Sequence, residues 1–268
     1  MTSAYKTDAN ALQYETTRKS QETFFESENY AFDYAVNDGY RILDAGCNRG
    51  GLLSALKEKY SDLTYTGVDV NQLALKFARE THPEATFINE AFPTDKLDGQ
   101  EFDTSFCFML FPLFQDWKGA LRAFSQLVDK YIVVDICMTE RLPTLDDPDV
   151  SYTWYMDSGE RVPVVIHNML QFVNYAFTEH VGGQHVQIFG RTVPGNASFM
   201  GYHPSDIFRG VAIIEKDHSG KRIWGAANTA DQTEFMKTVD PSEYRTPTAN
   251  LILDGEERSI YPRFDAFA

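Results

Sequence analysis

The stretch Arg41-Ile-Leu-Asp-Ala-Gly-Cys-Asn-Arg-Gly50 constrains this chain more than any other. Arg41 to Ala45 reads as a short buried strand, Gly46 to Gly50 as a tight turn, and Gly51 to Tyr60 (GLLSALKEKY) as an amphipathic helix. A strand, a glycine turn and a helix in that order make a cradle for a small molecule. Glycine lets backbone approach a ligand closely, and the first turn of the helix offers unpaired N–H groups. A dinucleotide fingerprint needs G-x-G-x-x-G, and here Asn48 replaces the middle glycine. The cradle also begins with an acid, Asp44, at the end of the strand. That carboxylate repels a pyrophosphate and favours a cationic ligand.

Charge narrows the partners further. Twenty-four Lys and Arg against 39 Asp and Glu give a formal charge of −15 with no basic run, which argues against nucleic acid. The three cysteines, Cys47, Cys107 and Cys137, have no metal-ligand spacing and each follows or ends an apolar run. Buried free thiols are expected, with no disulfide and no metal site. The N-terminus lacks an apolar signal region and no window is apolar enough to span a membrane, so a cytoplasmic location is expected.

From Tyr40 the pattern alternates between strands and helices. Strands are predicted at 41–45, 64–68, 85–88, 102–108 and 131–136, with helices at 51–60, 71–81 and 116–128 between them. The fold class implied is α/β, a doubly wound, mainly parallel sheet with helices on both faces. Four regions are expected: an N-terminal helical cap (1–39), the α/β core (40–138), a substrate-side insertion (139–207), and C-terminal strands with a tail (208–268). Val162 to His180 reads as a helix with Ile166, Met169, Leu170, Val173 and Phe177 on one face and His167, Gln171 and Asn174 on another. Strands are predicted at 185–191 and 210–216, a hairpin through Lys221 to Ala227, and a further strand at Asn250 to Leu253.

In an open α/β sheet the ligand lies outside the carboxyl ends of the strands. The first strand ends at Asp44 and Gly46. The second ends at Gly67-Val-Asp-Val-Asn71, where Asp69 is placed to accept two ribose hydroxyls and Val70 follows it. The third ends at Asn89-Glu90-Ala91, where Glu90 can take a hydrogen bond from an adenine amino group and Phe92 can line the ring. The fourth ends at Phe108-Met-Leu-Phe111, where cofactor and substrate should meet.

This ordered set resembles the class I S-adenosylmethionine-dependent methyltransferases over residues 40 to 138. Asp44-Ala-Gly46-Cys47-Asn48-Arg-Gly50 matches their glycine motif, Asp69 their acidic ribose position, and Asn89-Glu90-Ala91 the place where many members carry Gly-Asp-Ala. Asn48 departs from the commoner glycine, and Leu127-Val-Asp-Lys-Tyr131 from the usual Leu-Lys-Pro-Gly-Gly run. The resemblance implies a seven-stranded type of sheet and S-adenosyl-L-methionine as cofactor. It implies cofactor contacts from Asp44, Gly46, Cys47, Asn48, Gly50, Asp69, Val70, Glu90, Ala91 and Phe108. The ammonium and sulfonium of that cofactor suit the acid at position 44.

Methyl transfer from a sulfonium needs mainly alignment, and a base is required only when the acceptor must lose a proton. His167 and His203 are the general-base candidates, because histidine titrates near neutrality and both fall in segments sent over the sheet's carboxyl edge. Rings concentrate in the insertion, and Trp154, Tyr155, Gln171 and Tyr175, with Phe111 and Tyr14 of the N-terminal segment, are the substrate-side candidates. The reading is methylation of a small organic acceptor, with oxygen favoured over nitrogen or carbon. A non-catalytic S-adenosylmethionine scaffold or sensor stays open, as does a nicotinamide oxidoreductase. The partners implied are the methyl acceptor and, as an open alternative, a second copy of the chain.

Overall fold

The computed structural model describes residues 18–141, 143–155, 160–192, 207–216 and 247–260, without the side chains at 154 and 155. The expected first strand is β1 (Tyr40–Ala45), whose Ile42, Leu43 and Ala45 are fully buried. A strand covered on both faces reads as a continuous apolar run, as RILDA does. Parallel to it on one side lies β2 (Leu63–Asp69) and then β3 (Thr86–Asn89). On the other side lie β4 (Phe102–Cys107) and β5 (Val128–Thr139), also parallel.

The crossover helices are α2 (Gly51–Lys57), α3 (Gln72–Thr81) and α4 (Trp117–Leu127), preceded by the N-terminal α1 (Glu26–Ala35). Asn71 caps α3 by accepting the Ala74 N–H at 3.0 Å, and Asp116 caps α4 through Gly119 at 2.8 Å. Each cap is worth about 1 kcal/mol. α4 buries Trp117, Ala120, Leu121 and Phe124, the i, i+3, i+4, i+7 stripe that fixes which side meets the sheet. The sheet separates two apolar layers. Ile132, Val134 and Ile136 of β5 face α4, while Val133 faces α1 and α2.

The sheet is larger than the seven strands expected. Beyond β5 the order continues through β10 (Phe208–Lys216), β9 (Gly183–Thr192), β11 (Thr248–Leu253) and β12 (Glu256–Ile260). β10 is antiparallel to both β5 and β9, whereas β9 and β11 are parallel. The predicted strand at 250–253 is thus the core of an additional hairpin.

The helix expected over 162–180 is a correction. Glu160–Pro163 is a strand, β7, paired with β6 (Tyr152–Tyr155), and His167–Asn168 is a short strand, β8, beside the end of β5. Only Met169–Ala176 is helical, as α5. Pro163 and the β-branched run Val164-Val165-Ile166 oppose helix formation, and Asn168 starts the helix by accepting the Gln171 N–H at 2.9 Å. The hairpin expected at 221–227 lies outside the described residues. Among those described, no helix is long and apolar enough to cross a membrane.

Candidate active site

The turn after β1 is held to β2 by two bonds to one carbonyl. The N–H groups of Gly46 and Cys47 donate to Val68 O at 2.8 and 3.2 Å. Gly46 has φ +87°, and a Cβ there would come within 2.9 Å of Leu110 Cδ2, so both conformation and space call for glycine. Asn48 has φ +45° and its N–H donates to Asp69 Oδ2 at 2.9 Å. The Asn71 N–H donates to Asp69 Oδ1 at 2.8 Å. Backbone donors on both oxygens, with the Val70 N–H also directed at the carboxylate, fix its orientation and leave capacity to accept. Burial raises the Asp69 pKa, against the Asn71 and Asn48 backbone donors that lower it.

Asp44 is buried at the end of β1, and its carboxylate accepts the hydroxyl of Tyr65. Desolvation pushes its pKa up to about 7, opposed by the Tyr65 hydrogen bond and by the positive charge of Arg18. A cation bound against it would favour the ionised form.

The N-terminal segment crosses this cradle. The Arg18 carbonyl oxygen sits 1.8 Å from where a Cβ on residue 51 would be, so Gly51 makes room for the strap. The Arg18 guanidinium lies 4.2 Å over the ring of Phe24 and pairs with Glu28 through two bonds of 2.8 and 3.2 Å. Arg18, Phe24, Asp44, Gly46, Cys47, Asn48, Asp69, Val70, Glu90, Phe92 and Phe108 line one cavity. Glu90 is paired with Lys96 at 2.6 Å, and Phe92 is stacked on Phe124 at 4.2 Å. Gly50 and Ala91 do not line this cavity. Gly50 is the α2 N-cap residue with φ +75°. Arg18 and Phe24 have no motif around them and were not singled out by sequence.

A second cavity adjoins the first. Met109, at φ +60° and 47% exposed, lies in the wall of both. The second cavity is bounded by Phe25 and Glu28 at the start of α1, by Asp135 and Cys137 of β5, and by Arg191 and Arg209. Asp135 accepts the Phe111 N–H at 3.3 Å. Burial and then the negative charge of Glu28 push its pKa up to about 7, against Arg18 and the Phe111 and Met109 backbone donors. Asp135 was missed by sequence reasoning. The available signal was a single acid inside the β-branched run Tyr131-Ile-Val-Val-Asp-Ile136.

The substrate-side candidates separate. His167 is wholly buried, stacked on Phe111 (5.3 Å) and edge-on to Trp117 (5.1 Å), and neither ring nitrogen has a hydrogen-bond partner among the described residues. Desolvation drops its pKa to about 3. A ring so enclosed has no contact with either cavity, and the base assignment is corrected on that ground. Phe111 is likewise a core ring. Gln171 and Tyr175 line a separate cleft with Asp116 and Lys118 rather than either cavity. There Gln171 accepts the Thr144 N–H at 3.1 Å and the Tyr175 hydroxyl accepts from Arg122 at 2.8 Å. Tyr14 and His203 lie outside the described residues. Trp154 and Tyr155 belong to β6, with side chains outside them.

Residues 42–130 match the family model of a methyltransferase domain. No protein of the curated set matches the chain. Among solved structures, the N-terminal domain of EvdMO1, crystallised in the presence of SAH and D-fucose, aligns at a TM-score of 0.53 and 16% identity. That alignment covers 81% of this chain and 98% of EvdMO1's domain, and it shows a shared fold. Coclaurine N-methyltransferase bound to N-methylheliamine and SAH aligns at 0.44 and 16% identity, over 60% of this chain. The O-methyltransferase of a Brevibacillus brevis trans-AT PKS multienzyme aligns at 0.44 and 12% identity, over 63% of this chain. This chain spans 48% and 55% of those two proteins' lengths.

Proposed function

We propose that this chain, a class I S-adenosylmethionine-dependent methyltransferase by its domain match over residues 42–130 and by its fold, methylates a hydroxyl of a small organic acceptor seated beside Met109. The observation that carries the reading is the meeting of two cavities at Met109, one bounded by Asp44 and Asp69 and the other by Asp135.

The first cavity fits the cofactor on its own chemistry. Asp44 is a buried acid suited to the ammonium, and Asp69 presents two fixed oxygens suited to vicinal ribose hydroxyls. Glu90 suits the adenine amino group, with Phe92 in the same wall. When bound, S-adenosyl-L-methionine supplies an electrophilic methyl group on its sulfonium. The protein's part is placement. Holding two reactants in register accounts for about 7–11 kcal/mol of barrier lowering. The Arg18–Phe24 strap excludes water from one side. Asp135 receives the proton that a hydroxyl acceptor gives up, and its pKa near 7 matches that task.

The test is incubation with methyl-labelled S-adenosylmethionine and a panel of small alcohols, phenols, amines and thiols, with the label located by mass spectrometry. Label on oxygen supports the proposal. Label on nitrogen alone overturns the choice of atom, and binding without transfer to any acceptor supports the sensor reading.

A further inference from the structure

Tyr65 of β2 stands opposite Ile42 of β1, and Gly67 stands opposite Asp44. Residues two apart in a strand point to the same face, so Tyr65, Gly67 and Asp69 run along the flank of Asp44 with no side chain at the middle position. The buried Tyr65 hydroxyl reaches past Gly67 and donates to Asp44 Oδ2. The other Asp44 oxygen has no hydrogen-bond donor among the described residues. The carboxylate borders the first cavity, whereas Tyr65 lies behind it in the core.

The charges around Asp44 leave the tyrosine as its direct partner. β2 contributes Tyr65 and Asp69, the glycine turn Cys47, β4 Cys107 and the strap Arg18. Burial pushes both thiols up, so they stay neutral, and Asp69 is a like charge. Arg18 acts on Asp44 from a distance, with its guanidinium bound to Glu28 by two hydrogen bonds. Burial raises the Asp44 pKa to about 7 against the Tyr65 hydrogen bond and Arg18, with Asp69 adding to the rise. Near neutrality the acid is therefore present in both forms.

We propose that Tyr65 is a positioning residue for the cofactor: its hydroxyl fixes one oxygen of Asp44 and favours the carboxylate, the other oxygen takes the ammonium, and binding expels a proton wherever Asp44 is protonated. The inference rests on the first cavity holding S-adenosylmethionine with its ammonium at Asp44. In the proton step the carboxyl O–H bond breaks, its electron pair stays on oxygen and the proton passes to solvent. The sign of the pH dependence follows. Affinity for an ammonium is full above the Asp44 pKa and is lost as pH falls through it.

The experiment is calorimetric titration of S-adenosylmethionine, S-adenosylhomocysteine and 5′-methylthioadenosine into the full chain and into Tyr65→Phe, at pH 6.0 and 7.5. The third probe keeps the adenine and ribose and lacks the ammonium. The first two are expected to bind the unaltered chain about fivefold more weakly at pH 6.0 than at pH 7.5, with the third unchanged. Tyr65→Phe is expected to weaken the first two at least about threefold at pH 7.5 and to leave the third unchanged. Comparison of phosphate and imidazole buffers at pH 6.5 counts the proton, with about 0.7 released per ammonium-bearing ligand expected in the unaltered chain. Affinity independent of pH, no proton release, equal binding by the two proteins, or a parallel loss of 5′-methylthioadenosine binding in the variant overturns the inference. Any of these with S-adenosylmethionine still bound rejects only the role of Tyr65, whereas absent binding of all three to the unaltered chain rejects the cofactor site itself.

Discussion

Arg18 and Glu28 join the two cavities. The guanidinium borders the first, the carboxylate borders the second, and two hydrogen bonds of 2.8 and 3.2 Å connect them. Glu28 also accepts the Phe25 N–H at 2.9 Å, so the same carboxylate fixes the start of α1. One ion pair thus forms part of the wall of both cavities.

Removing one partner leaves a buried charge without compensation, because the two side chains are only 16% and 3% exposed. Arg18→Ala should lower stability by about 3 kcal/mol, and Arg18→Met/Glu28→Met should recover much of the loss. Urea unfolding of Arg18→Met, Glu28→Met and the double Arg18→Met/Glu28→Met variant gives the coupling. Additive losses would show that the pair does not act as a unit.

Asp135 predicts the pH dependence of turnover. Its pKa near 7 means that the carboxylate, the form able to accept a proton, grows as pH rises from 6 to 8. The rate on a hydroxyl acceptor should rise through that interval. Asp135→Asn should lose the inflection and slow turnover by about 10²–10⁴-fold, with S-adenosylmethionine affinity little changed. Initial rates across pH with both proteins check this, and an unaltered profile in the variant would exclude Asp135 as the base.

His167 predicts an acid-stability effect of its own. Its folded pKa is about 3 against 6.5 for the free side chain, so it must stay neutral in the fold. Its contribution is fully present above pH 6.5 and is lost progressively as pH falls toward 3, because the unfolded chain takes up the proton first. His167→Phe removes that loss and the two unpartnered nitrogens while keeping a ring against Phe111 and Trp117. Denaturation at pH 7 and pH 5 should show the variant losing less stability on acidification, with methyl transfer retained. Abolished transfer in a folded variant would restore His167 to the mechanism.

Gly51 tests the strap. A methyl group there meets the Arg18 carbonyl oxygen at 1.8 Å, so Gly51→Ala must displace the segment that closes the first cavity. Overpacking of this kind costs about 1–3 kcal/mol. The loss should appear as weaker S-adenosylmethionine binding and faster proteolysis before Phe24. Unchanged affinity and cleavage would separate the strap from the cofactor site.

The cofactor side was legible because its parts are local. One strand, one glycine turn and one acid at the next strand end lie close along the chain, and buried parallel strands advertise themselves as apolar runs. The acceptor side was not. Asp135 is a lone acid in a β-branched strand, and only the fold shows that it faces a cavity rather than solvent. Arg191 and Arg209 become neighbours through the register of β9 against β10, which no local pattern encodes. His167 misled because helical spacing was extended across Pro163 and three β-branched residues. Those residues carry the chain as strand and bring the ring into the core instead.

The central claim is that the cavity between Asp44 and Asp69 takes S-adenosylmethionine. Calorimetric titration of the intact chain and of Asp69→Asn, with S-adenosylmethionine and with NADH, tests it most directly. Saturable S-adenosylmethionine binding to the intact chain, at least about tenfold weaker binding to Asp69→Asn, and no heat from NADH are expected. Equal binding by the two proteins, or binding of NADH in place of S-adenosylmethionine, would contradict it.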